Sequence, residues 1–103
     1  MNAEILNKAL EMALEWGENF GKPIQERLRH VFPALTAQEA DEYQTVCREI
    51  KSYAFAEVER AYLKQISDAT ARANILSKYP LLDDGSMNSL FAQGNYYAWH
   101  DNG

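Results

Sequence analysis

The sequence predicts an all-α fold: a compact bundle of about five helices in a single domain, residues 1–103, with one long central helix over about 37–66. Apolar residues recur at helical spacing, no stretch alternates as a strand would, and no Asn-Gly turn joins two apolar runs. Only three prolines and five glycines interrupt the chain. A composition 47% hydrophobic and 24% charged is that of a folded soluble chain and not a disordered one. At 103 residues there is room for one core and no second domain.

Residues 3 to 20 carry apolar side chains at 5, 6, 9, 10, 13, 14, 16 and 20, the spacing of a helix. At about 100° per residue, Glu4, Glu11, Glu15 and Glu18 fall with Lys8 in one narrow arc, and Ile5 through Trp16 cover roughly 200° on the other side. Gly21 is placed to end this helix and Pro23 to open a short one reaching about Phe32. Pro33 stops that helix. Thr36 and Glu39 then form a capping box, in which each side chain accepts a hydrogen bond from the other residue's backbone amide.

From Ala37 to Ile66 there is no glycine or proline, and 30 helical residues would span about 45 Å. A globule of this length has a diameter of roughly 35 Å, so the helix is too long for its own domain. Its apolar arc passes from Tyr43, Val46, Cys47, Ile50 and Ala54 to Phe55, Val58, Ala61, Tyr62 and Ile66, a rotation of roughly 90°. The helix therefore bends near Ser52 to Phe55 or changes partners midway. Ser67 or Asp68 caps a further helix to Tyr79, with Ala69, Ala73, Ile75, Leu76 and Tyr79 inward; one continuous rod with the preceding segment is the alternative. Pro80 ends it, LLDDGS makes a loop, and Ser86 caps a last helix to about His100. There Met87, Leu90, Phe91, Gly94, Tyr97 and Ala98 share one arc, with glycine at its centre where another backbone can approach, while Tyr96 and Trp99 face the other way.

Fifteen acidic against ten basic side chains leave a formal charge of -5, which disfavours a binder of nucleic-acid phosphates. A single cysteine, Cys47, allows neither an internal disulfide nor a thiolate cage, and suits a reducing cytoplasm. The chain shows no signal peptide and no membrane span, so a cytoplasmic location is expected. No Glu-x-x-His pair is present to build a carboxylate metal site, and no glycine-rich phosphate loop or zinc spacing occurs; no cofactor or metal is expected. Cys47 lies within an apolar face as a small hydrophobe, and Asp83 and Asp84 read as turn and cap residues.

What remains points to recognition, not reaction. The expected role is a non-enzymatic, acidic helical protein-protein interaction module, of inhibitor, immunity or adaptor type, acting on a basic partner and able to pair as a homodimer. Its expected contact residues are Glu4, Glu11, Glu15 and Glu18 as a carboxylate stripe, with Tyr96 and Trp99 as aromatic anchors. The competing reading is a small-ligand or mutase-like helical enzyme with a pocket lined by Arg27, Arg29 and His30.

Overall fold

A computed structural model describes residues 1–102. Among them five α-helices form, α1 (Ala3–Ala13), α2 (Gln25–Val31), α3 (Ala37–Tyr62), α4 (Asp68–Lys78) and α5 (Asp84–Asn102), and no strand. No helix among these residues is long and apolar enough to cross a membrane. The all-α class and the long helix are as the sequence predicts. By its contacts the chain divides into two compact units, Met1–Glu49 and Ile50–Gly103, and the division falls inside α3. That division accords with the expected change of partners midway along the helix.

In the first unit, Asn2 caps α1, its Oδ1 accepting from the amide of Ile5 at 3.0 Å, while its own amide donates to Tyr43 Oη on α3 at 3.1 Å. Leu6, Ala9, Leu10 and Met12 are buried along α1, with Ile5 and Ala13 half-buried, so the wide apolar arc is real. The helix is shorter than its periodicity suggests. Its last residue is Ala13; Trp16 is extended and Gly17 takes φ +81°, a left-handed conformation that turns the chain off the helix axis into a 3₁₀ turn, Gly17–Asn19. Gly21, at φ +74°, ends this turn instead of the helix. The amide of Ile24 donates to Gln44 Oε1 at 3.0 Å, and Arg29 Nε donates to the Leu35 carbonyl at 3.1 Å, which ties α2 to the approach of α3.

The capping box forms as expected: Thr36 N donates to Glu39 Oε1 at 2.9 Å and Glu39 N to Thr36 Oγ1 at 3.1 Å. The hydrogen bonds from the Thr36 amide and then its hydroxyl hold the Glu39 carboxyl below its usual pKa. Along α3 the buried positions Ala40, Tyr43, Cys47, Ile50, Ala54, Val58 and Ala61 step by three and four residues. A seam of that period drifts only about 60° over its length, at ~20° per heptad, less than the rotation of roughly 90° expected from sequence. Phe55, Tyr62 and Ile66, expected inside, are only half-buried.

In the second unit, α3 ends at Tyr62 without glycine or proline. Lys64 takes φ +63°, its amide donates to the Ala61 carbonyl at 3.1 Å, and that of Gln65 reaches the Arg60 carbonyl at 2.9 Å. This is a Schellman motif with lysine in the position usually given to glycine. It makes α3 and α4 two helices, not one rod. Ser67 caps α4 by accepting from the Thr70 amide at 3.0 Å. The inner face of α4 is Ala71 and Ile75, while Ala69, Ala73 and Leu76 are exposed, which corrects the sequence assignment. Its rotation is set by polar ties. Asn74 Nδ2 donates to Glu57 Oε2 on α3 at 3.0 Å, and Arg72 Nη2 to Asn88 Oδ1 on α5 at 3.1 Å. The last helix starts earlier than expected because Asp83 caps it, its Oδ1 accepting from the amide of Ser86 at 2.8 Å; Ser86 lies inside the helix and is buried.

Candidate protein-binding surface

The α5 arc is close to its sequence reading: Met87, Leu90, Gly94 and Ala98 are buried, with Phe91 and Tyr97 half-buried. Gly94 sits where a Cβ would stand 3.0 Å from both Cβ and Cγ1 of Val58 and 3.3 Å from Phe55 Cδ1. The absence of a side chain there lets α5 lie directly on α3. Because Gly94 and Ala98 point inward, helical periodicity turns Tyr96 and Trp99 to solvent, and they are 45% and 59% exposed. The Tyr96 ring centroid is 5.5 Å from that of Tyr97, 6.3 Å from Trp99 and 6.2 Å from the His100 ring. Rigid aromatics with polar edges are the side chains that supply contact area at low entropic cost in protein interfaces.

Beside this cluster, α3 and α5 border an open groove of about 400 Å³ whose lining includes Phe55, Glu59, Tyr97 and Asp101. The two rings stand 5.5 Å apart at 50°. Asn102 Nδ2 donates to Glu59 Oε2 at 3.2 Å and to the Ala98 carbonyl at 2.9 Å, which holds the last turn of α5 against α3. Partial burial, followed by the charge that Tyr96 would carry, raises the pKa of the Tyr97 phenol. It stays a neutral hydrogen-bonding group at physiological pH.

The glutamate stripe does not assemble as one line. Only Glu4 and Glu11 belong to α1, and Lys8 Nζ stands 3.3 Å from Glu11 Oε1. Glu15 lies past the end of the helix, where its Oε1 is 3.3 Å from Arg27 Nη1 and its Oε2 accepts from Asn19 at 2.9 Å; Glu18 lies in the 3₁₀ turn. The pair with Arg27 answers the uncompensated charge that a straight helix would have left between Glu11 and Glu15. Glu4 and Glu18 remain exposed, and Glu11 is exposed beside Lys8.

Of the three residues of the competing pocket, Arg27 and Arg29 make contacts within the first unit. Arg27 Nη1 is shielded from solvent beside Glu15 but out of hydrogen-bond alignment, and Nη2 reaches the carbonyls of Lys22 and Pro23 at 3.4 Å. Arg29 is committed to Leu35, and His30 is exposed near the end of α2. Cys47 is buried at 1% exposure, and Asp83 is a cap, as the sequence suggests for both. No cluster of three or more His, Cys, Asp or Glu able to hold a metal ion occurs among the described residues.

Two features were not foreseen. Trp16 and Phe20, assigned to the apolar arc of the first helix, are instead 53% and 44% exposed and stack at 5.5 Å and 7° across the 3₁₀ turn. Gly17 and Gly21, each directly after one of the two rings, were the available signal. The placement of Glu59 and Asp101 in one groove needs the α3–α5 packing and has no local sequence signature. Compared with protein families, with curated proteins and with solved structures, the chain matches none.

Proposed function

We propose that this protein is a non-enzymatic helical interaction module that binds a basic protein, as an inhibitor or adaptor does, with the outer face of α5 as the contact surface. The observation that carries the reading is the exposure of Tyr96 and Trp99 on a helix whose opposite face is anchored through Gly94. Charge agrees with it. Nine of the fifteen acidic and five of the ten basic side chains lie in the first unit, giving that unit -4 of the total -5, so a cationic partner is drawn towards the chain. A cytoplasmic setting, in which Cys47 stays reduced, fits the same reading.

The test is affinity capture from cells that express the protein, using the wild-type chain and a Tyr96→Ala/Trp99→Ala variant as baits. A basic protein retained by the first and lost by the second supports the proposal. Loss of two anchors should weaken binding at least 30-fold, about 2 kcal/mol. Recovery of the same proteins on both baits overturns it. Light scattering provides the second arm: a mass near twice 11.8 kDa that falls to 11.8 kDa in the variant would assign the α5 face to self-association instead.

A further inference from the structure

We propose that the groove between α3 and α5 seats an arginine side chain of the basic partner, its guanidinium stacked on Tyr97 or Phe55 and paired with Glu59 and Asp101. The proposal rests on the protein-binding reading above and specifies what the partner must present. Three other rings of the second unit have cations of the chain's own beside them: Arg72 lies 5.1 Å over the Phe91 ring, and Lys78 lies 4.3 Å over Tyr53 and 5.9 Å from Tyr79. Arg60 is occupied with Glu57 at 3.0 Å. The Phe55–Tyr97 pair instead shares its groove with two acidic residues, Glu59 and Asp101, the latter with its Oδ1 3.7 Å from His100 Nδ1.

Such a lining is complementary to a cation brought from outside. Ring faces carry negative quadrupole density, and the carboxylates add formal charge beside them. Arginine fits this better than lysine, because a planar guanidinium can stack and fork to a carboxylate at the same time, whereas an ammonium is a compact, strongly hydrated charge. A groove of about 400 Å³ admits the side chain with part of the residue next to it. The Tyr96 ring stands 5.5 Å from that of Tyr97 in the groove and 6.3 Å from Trp99, so one partner segment can reach anchors and groove together.

The probe is an acetylated, amidated tetra-arginine peptide, with tetra-lysine and the uncharged isostere tetra-citrulline as controls, titrated into isotope-labelled protein and followed by NMR. Expected are shifts centred on Phe55, Glu59, Tyr97 and Asp101, no response to citrulline, and a response to lysine at least fivefold weaker. Glu59→Gln/Asp101→Asn should weaken tetra-arginine at least tenfold while leaving the thermal melt unchanged; Glu59→Gln alone keeps the acceptor for Asn102 and separates charge from packing. Shifts spread over Glu4, Glu11 and Glu18 and indifferent to the neutralised variants would mean generic attraction and overturn the proposal. Equal binding of lysine would overturn the arginine assignment, and a concentration-dependent dimer with the same residues shifted would give the groove to a second copy. If the captured partner is lost on Tyr96→Ala/Trp99→Ala but kept on Glu59→Gln/Asp101→Asn, the groove proposal fails and the protein-binding reading stands.

Discussion

Replacing Gly94 with alanine sets two effects of known size against each other. In an ordinary helix interior the change should stabilise by about 1 kcal/mol, since alanine loses less backbone freedom on folding. Here the added methyl would stand 3.0 Å from two atoms of Val58, one of them the Cβ bonded directly to the α3 backbone, so relief requires the helices to separate by a few tenths of an ångström. Overpacking of this kind costs about 1–3 kcal/mol. The expected balance is a loss of about 1 kcal/mol, seen as a fall of about 4–8 °C in the melting temperature. A double-mutant cycle makes the reasoning sharper. Val58→Ala alone should cost about 2 kcal/mol for the lost methyls and the cavity. In that background Gly94→Ala should cost less than in the wild type, because the contact with Cγ1 is gone while the one with Cβ remains. Urea unfolding followed by circular dichroism reads all four corners. Stabilisation by Gly94→Ala in the wild-type background, or the same effect in both backgrounds, would refute the close approach of α5 to α3.

Lys64→Gly should raise stability by about 1 kcal/mol in the same assay, since the left-handed conformation at φ +63° is strained for lysine and open to glycine. Asp83→Ala should cost about 1 kcal/mol by removing the cap of α5, whereas Asp83→Asn should stay within a few tenths; equal losses would assign the effect to charge and not to the cap. The Glu39 carboxyl has a folded pKa below its unfolded value, so its contribution is complete above the ordinary carboxylate range and disappears as pH falls through the lowered value. Stability measured against pH should accordingly show a shallower acid limb in Glu39→Gln, and an unchanged limb would remove the capping box as its source.

Features decided by neighbours in the chain were legible before the structure. The Thr36–Glu39 box, the cap at Ser67 and the stop at Pro80 each depend on a few consecutive residues, and each is observed. Gly94 was legible because one small residue in an apolar arc has few other meanings. The end of α1 was not, since Leu14, Trp16 and Phe20 continue the helical period while the backbone at Gly17 departs from it. Nor was the break at Lys64, a residue with no preference for the left-handed region. On α4 two arcs of small and apolar residues compete, and long-range hydrogen bonds from Asn74 and Arg72 choose between them. The candidate surface divides the same way. Tyr96 and Trp99 follow from helical phase, while the groove and its carboxylates depend on which helices pack.

The two tryptophans fall one in each unit, Trp16 in Met1–Glu49 and Trp99 in Ile50–Gly103, and each is about half-covered beside another ring. Removing either by a change to phenylalanine leaves a fluorescence signal that belongs to one half of the chain. The buried thiol of Cys47 gives the first half a second reporter, because it reacts with a thiol reagent only when its surroundings open. The chain thus carries native markers that show whether its halves melt as one cooperative event or in sequence.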